Sequence, residues 1–60
     1  MAIKLKPDLA VAYINLGGTL FQAKMTEEAI HYYKEAIRIR PGFAAAQKNL
    51  EIAISKLEKE

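Results

Sequence analysis

The chain has no cysteine and no tryptophan, and its 60 residues include only three glycines, two prolines and one histidine. Without cysteine, disulfide bonds and thiolate metal sites are excluded. The single histidine, His31, cannot form a metal site alone, so we expect neither a metal nor another cofactor. A chain this short has a thin core. Without disulfide bonds or a bound metal to stabilise that core, the fold depends on close helix packing or on self-association.

Charge of one sign and long apolar runs are also scarce. The 9 basic and 7 acidic residues leave a net charge of +2, and no long run of like charges occurs. The longest uncharged stretch, residues 9–23, is too short to span a bilayer, and residues 1–7 lack the apolar segment of a signal peptide. We therefore expect a soluble and, by default, cytoplasmic protein that binds neither membranes nor nucleic acids.

The sequence repeats itself with a fixed period. Pro7 and Pro41 are 34 positions apart, and aligning them places residues 2–7 over the closely similar residues 36–41. The match continues with four identical pairs, which are Ala10 with Ala44, Ala12 with Ala46, Asn15 with Asn49, and Leu16 with Leu50. A period of this length is typical of solenoids built from pairs of helices.

Residues 10–43 carry the small, aromatic and proline positions of one such repeat family. The pattern consists of Tyr13, Leu16, Gly17, Leu20, Ala29, Tyr33, Ala36 and Pro41. In this spacing the chain resembles the tetratricopeptide repeat, TPR. The resemblance implies an all-α fold, with an antiparallel helical hairpin over residues 10–43. It further implies that residues 1–9 are the tail of a preceding repeat, and that residues 44–60 are the first helix of a following repeat or a C-terminal capping helix.

Hydrophobic periodicity independently predicts three helices, over about residues 9–22, 27–40 and 44–59. Each helix has a stripe of apolar residues at three- and four-residue steps, which we expect to face the core. The stripes are Leu9, Ala12, Tyr13, Leu16 and Leu20 on the first helix, Ala29, Ile30, Tyr33, Ala36 and Ile37 on the second, and Ala46, Leu50, Ala53, Ile54 and Leu57 on the third.

Local signals refine the helix ends. We expect Thr26 to cap the second helix and Pro41 to stop it. The turn over residues 23–26 lacks the glycine that TPRs usually have there, so either Lys24 adopts a left-handed conformation or the turn is built differently. Gly17 lies inside the first helix, where it costs about 1 kcal/mol relative to alanine, and close approach of a neighbouring helix would explain it.

Asn15 and Asn49, one period apart, are the polar pair of most interest. In TPR arrays the first helices line a concave groove, and similar asparagines hold the backbone of a bound peptide, so the resemblance implies a ladder of amides here. The alternative is an exposed asparagine that repeats without function. The expected groove also contains Val11, Ile14, Phe21, Lys48 and Ile52. Its apolar side chains either bind a ligand or are surfaces left bare where neighbouring repeats are missing.

Catalysis is poorly supported by the sequence. His31 is the one side chain with acid–base chemistry near neutral pH, and its place off the core-facing stripe indicates a solvated position. The resemblance implies a non-catalytic protein–protein interaction module whose partner is a protein or peptide. Two alternatives remain, a minimal or engineered repeat unit that mainly folds and self-associates, and a regulatory TPR segment of a larger enzyme.

The start of the chain favours a fragment of a longer array, natural or engineered. Met1 aligns with Glu35, in the middle of the second helix of the repeat. Fewer than about three repeats are marginal alone, and the four apolar groove residues would be exposed in a monomer. We therefore expect self-association, most simply as a two-fold dimer.

Overall fold

The computed structural model describes residues 9–59, which form three helices: α1 (Leu9–Gln22), α2 (Thr26–Ile39) and α3 (Ala44–Lys59). The expected all-α fold, a helical hairpin followed by a third helix, is confirmed. The bounds of α1 and α3 agree with the periodicity, whereas α2 begins and ends one residue earlier than predicted. The prediction that residues 1–9 are the tail of a preceding repeat lies almost wholly outside the described residues.

The central helix α2 holds the other two in place. It packs along both α1 and α3, while α1 and α3 approach each other at only a few positions. The first and third helices are therefore both held by α2 and contact each other little. This arrangement leaves a groove between α1 and α3.

The core consists of two small clusters in which nearly every buried side chain is a methyl group. The first contains Ala10, Ala36 and Ala46, one from each helix, and the second contains Ala29, Tyr33 and Ala53. Larger half-buried side chains surround them, including Tyr13, Leu20, Ile30, Ile37, Phe43 and Leu50. Alanine at the points of contact lets the helix backbones approach closely, and the flanking residues exclude water.

Tyr33 is the one large residue in these clusters, and its ring occupies the space above Gly17. A β-carbon added at Gly17 would lie 2.6 Å from Cε1 and 2.9 Å from Cδ1 of Tyr33. The ring is only 4% exposed, so it fills this gap between α1 and α2. Gly17 thus has a packing reason, but the close neighbour is the side chain of Tyr33 and not, as we expected, the backbone of the neighbouring helix.

The face that α1 turns to the core differs from the predicted stripe. Leu9 and Leu16, expected inside, are 57% and 41% exposed, whereas Ala10 and Gly17 are buried. The buried face is therefore rotated by roughly one residue, or about 100°, around the helix axis. The rotation follows from contact geometry, because the smallest residues lie where the helices are closest and large side chains stand to either side.

The stripes of the other two helices are largely as predicted. On α2, Ala29, Tyr33 and Ala36 are buried. On α3, Ala46 and Ala53 are buried, but Ile54, expected on the stripe, is 38% exposed. Within residues 9–59, α3 packs extensively against α2 alone, so a side chain on its far flank remains accessible to solvent.

The turn between α1 and α2 has the first of the two structures that we considered for a turn without glycine. Lys24 has a φ of 66°, the left-handed conformation. The amide of Met25 donates to the carbonyl of Leu20 at 2.9 Å, and the amide of Lys24 donates to the carbonyl of Phe21 at 3.1 Å. These are the two hydrogen bonds of a Schellman motif, which closes α1 with a lysine at the position where glycine is usual.

The prediction that Thr26 caps α2 is wrong. Met25 is the capping residue, without a side-chain hydrogen bond, and Thr26 is already the first helical residue and is buried. The amide of Ala29 donates to the carbonyl of Met25 at 3.0 Å, which starts the helical ladder one residue early. The Schellman motif uses residues only up to Met25, so the chain enters α2 immediately after it.

Candidate functional site

The groove between α1 and α3 contains an open cleft of about 550 Å³. Phe21 of α1 lies on one side of it, and Ile52 of α3 lies on the other. Both were predicted as groove residues, and the structure brings them together. Phe21 is half-buried, while Ile52 is 48% exposed, so the cleft offers an apolar surface that is accessible from solvent.

Four further residues of α3 line the cleft; the sequence predicts Ser55 on the same helix face as Ile52, but it does not assign the other three, which are charged, to the site. They are Glu51, Ser55, Lys56 and Lys59. Helical spacing was the available signal, because these positions lie within two turns of Ile52. Charged residues on a helix are usually solvated, so the sequence alone does not indicate that the charged residues among them line a site.

The two asparagines have free side-chain amides. Asn15 on α1 is exposed and Asn49 on α3 is half-buried. Neither side chain makes a hydrogen bond with another residue in the part of the chain that the structure describes; the backbone carbonyl of Asn15 accepts one from Oγ1 of Thr19 at 3.2 Å. An unpaired primary amide can donate two hydrogen bonds and accept two, so both side chains can bind a peptide group.

The other predicted site residues do not line this cleft; they are Asn15, Asn49, Val11, Ile14 and Lys48. Val11 and Lys48 are exposed, on α1 and α3 respectively, outside its walls. Ile14 and Phe21, which we expected to lie off the core-facing stripe, both pack against the core. The rotation of α1 explains this correction. Ile14 contacts both clusters, and its packing role leaves it less available to a ligand than predicted.

A group of aromatic side chains from α1 and α2 lies outside the cleft. The rings of Tyr13 and Tyr32 stack with their centroids 5.7 Å apart, and His31 meets Tyr32 edge-on at 5.1 Å. These rings contact one another, so their mutual packing accounts for their positions. The group supports the contact between α1 and α2 and does not extend into the cleft.

The ion pair on α2 is a surface feature. Nη2 of Arg38 lies 2.7 Å from Oε1 of Glu35, and this hydrogen bond from the guanidinium lowers the pKa of the Glu35 carboxyl below its ordinary value. Both groups are in contact with water, so the pair contributes little to stability. It is also outside the cleft and does not change the charge presented there.

Residues 9–59 contain neither a cluster of metal-ligating side chains nor a membrane-spanning helix. These residues contain no group of three or more histidine, aspartate or glutamate side chains placed to hold a metal ion. None of the three helices is both long enough and apolar enough to cross a membrane.

A helical hairpin followed by a third helix, in a chain whose sequence repeats after 34 residues, is the architecture of a helical-repeat module. Residues 10–43 match the sequence model of the tetratricopeptide repeat. That match covers more than half of the chain, which belongs to the tetratricopeptide repeat family. No solved structure matches the chain significantly.

The chain is also similar to a part of each of three curated proteins. The chain is 33% identical over 52 residues to the peroxisomal targeting signal receptor of Candida albicans and to that of Candida glabrata. It is 35% identical over 52 residues to the receptor of Eremothecium gossypii. Each match covers 87% of this chain, but the chain spans only about 9% of the length of these relatives.

Proposed function

We propose that this module binds an extended peptide of a partner protein in the cleft between α1 and α3, without catalysis. The observation that carries the proposal is the pair of unpaired amides, Asn15 and Asn49, one repeat period apart on the two helices that border the cleft. Side-chain amides spaced along a groove can hydrogen-bond to the backbone of a peptide whatever its sequence. Phe21 and Ile52 then supply apolar surface for one of its side chains.

The similar proteins support a peptide ligand. Their name describes them as receptors for a targeting signal. A receptor of this kind must bind its signal, and this chain corresponds to a part of such a receptor in sequence. The identity of the signal belongs to those proteins, so we carry over only the class of ligand, a segment of another polypeptide.

Replacing both asparagines tests the proposal. A peptide selected from a random display library for binding to the unmodified chain is titrated against Asn15→Ala/Asn49→Ala. We expect each lost backbone pairing to cost about 1 kcal/mol, or roughly fivefold in affinity. The helix content should not fall, because neither side chain has a partner within residues 9–59.

Lys34→Ala is the matched control, because Lys34 is exposed on α2 and does not line the cleft. This variant should bind like the unmodified chain. Unchanged affinity in the double asparagine variant would refute the proposal. So would loss of folding together with intact affinity of the fraction that remains folded, since the asparagines would then be structural.

Self-association is a second candidate, favoured by exposed apolar side chains elsewhere on the surface. Leu9 and Leu16 lie on the outer side of α1, away from the cleft, where a second copy of the chain could cover them. Sedimentation over a wide concentration range tests it, and a folded monomer throughout would exclude it. The cytoplasmic location and the alternatives of an engineered unit or of a segment from a larger enzyme stay predictions of the sequence.

A further inference from the structure

The carboxyl-terminal end of the cleft bears positive charges that the proposed peptide site does not use. From Ile52, the wall formed by α3 continues to Lys56 and then to Lys59 in the last turn of the helix. Both lysines are exposed, and neither makes an ion pair with a residue in the range 9–59. Two ammonium groups therefore border an apolar surface without an ion pair to any of the described residues.

The charges of the cleft are separated along α3. Glu51 lies at the other end, next to Ile52 and nearer to Asn49. At a rise of 1.5 Å per residue, Glu51 is about 12 Å along the helix from Lys59. The cleft thus has a negative end, an apolar middle and a positive end, which gives it a direction for a charged ligand.

We propose, on the basis of the peptide-binding function above, that the cleft selects a segment in which acidic side chains lie about two to three residues from a large apolar residue. The apolar side chain inserts between Phe21 and Ile52. Lys56 and Lys59 lie about 6 Å and about 10 Å along α3 from Ile52. An extended peptide advances about 3.3 Å per residue, so the second and third positions from the apolar residue come level with the two lysines along α3.

Acidic side chains of an internal segment fit this end of the cleft better than a terminal carboxylate. Lys56 and Lys59 are one helical turn apart and offer two separate positive charges, which match two side-chain carboxylates. The cleft is open to solvent, so a peptide can lie along it without ending there. The structural alternative is that these lysines only complement the negative end of the α3 dipole.

The experiment uses short amidated peptides of glycine and serine that contain one leucine. One set has aspartates at the second and third positions from the leucine, on either side of it, and the matched set has asparagines there. Each peptide is titrated into the isotope-labelled chain, and the amide signals of Phe21 and Ile52 report binding. We expect the aspartate set to bind about tenfold more tightly, at a few-fold per exposed ion pair, and to lose this advantage at high salt.

The variant Lys56→Gln/Lys59→Gln should bind both sets with the lower affinity. The control Lys34→Gln, on α2 and outside the cleft, should keep the preference for aspartate. If the double variant loses helix because the dipole is less well complemented, a third set with lysines in place of the aspartates tests the same charge preference on the unmodified chain. It should bind more weakly than the asparagine set.

The outcomes separate this inference from the peptide-binding proposal. Equal binding of the aspartate and asparagine sets, still dependent on Asn15 and Asn49, would refute the charge preference and leave the peptide site standing. If no peptide shifts the signals of Phe21 and Ile52, both proposals fail. Tighter binding of a peptide ending in leucine with a free carboxylate would overturn the choice of an internal acidic segment.

Discussion

Adding one methyl group to each of the two adjacent glycines of α1 should change stability in opposite directions. At Gly18, the nearest atom to an added β-carbon is the hydroxyl oxygen of Tyr33 at 3.9 Å, an ordinary contact. Gly18→Ala should therefore gain the helix propensity of alanine, about 1 kcal/mol. At Gly17 the same gain is opposed by ring carbons of Tyr33 at 2.6 and 2.9 Å.

The cost at Gly17 follows from the lack of room around the ring. Tyr33 is 4% exposed and belongs to the core cluster, so it cannot move without separating α1 from α2 or displacing its neighbours. Overpacking of this kind costs about 1–3 kcal/mol. After the gain in propensity of about 1 kcal/mol, Gly17→Ala should destabilise by up to about 2 kcal/mol, and the two variants should differ by about 1–3 kcal/mol.

Thermal unfolding followed by circular dichroism measures the difference. For a chain of this size 1 kcal/mol shifts the midpoint by about 4–8 °C, so the midpoint of Gly18→Ala should lie at least about 4 °C above that of Gly17→Ala. If Gly17→Ala stabilises as much as Gly18→Ala does, the close approach of Tyr33 is refuted. The variant Tyr33→Leu provides a second test, because removing the ring should relieve the penalty of Gly17→Ala by at least about 1 kcal/mol.

Two further predictions concern Lys24 and Tyr33. Lys24→Gly should raise the free energy of unfolding by about 1 kcal/mol, because glycine adopts the left-handed conformation without strain, whereas Lys24→Ala should give no such gain; denaturant titration of both variants checks this. Burial raises the pKa of Tyr33 above its ordinary value, so above about pH 10 the unfolded chain releases this proton first and stability falls as the pH rises. Urea titrations on both sides of that pH should show a smaller fall for Tyr33→Phe, and an unchanged fall would refute the assignment to Tyr33.

The helices could be predicted from sequence because their ends are marked chemically. Pro41 stops α2, and the apolar spacing gave α1 and α3 with the bounds observed. The face of α1 could not be predicted in this way. Periodicity gives most weight to large residues such as Leu9 and Leu16, whereas contact between closely packed helices selects the smallest ones. For the turn at Lys24, the sequence left two possible conformations. The hydrogen bonds across the turn, which the sequence does not show, select the left-handed one.

The site was predictable only in part, for a related reason. Asn15 and Asn49 were identified because they repeat with the period of the chain, and Phe21 and Ile52 because they are apolar and off the expected stripes. Whether residues of two helices share a cleft depends on how the helices are rotated about their axes. That rotation is set by packing against α2, which no pattern within α1 or α3 records.

The alanine core has a consequence for how such a module tolerates sequence change. Except for Tyr33, the buried apolar residues in the described part of the chain are all alanines. These side chains have only one methyl group to lose, whereas any larger residue pushes two helices apart. Substitution of the core alanines by larger residues is therefore excluded, while residues on the outer surfaces are free to vary. The buried alanines therefore keep the distance between the helices constant, while the residues of the groove between α1 and α3 can change to suit different partners.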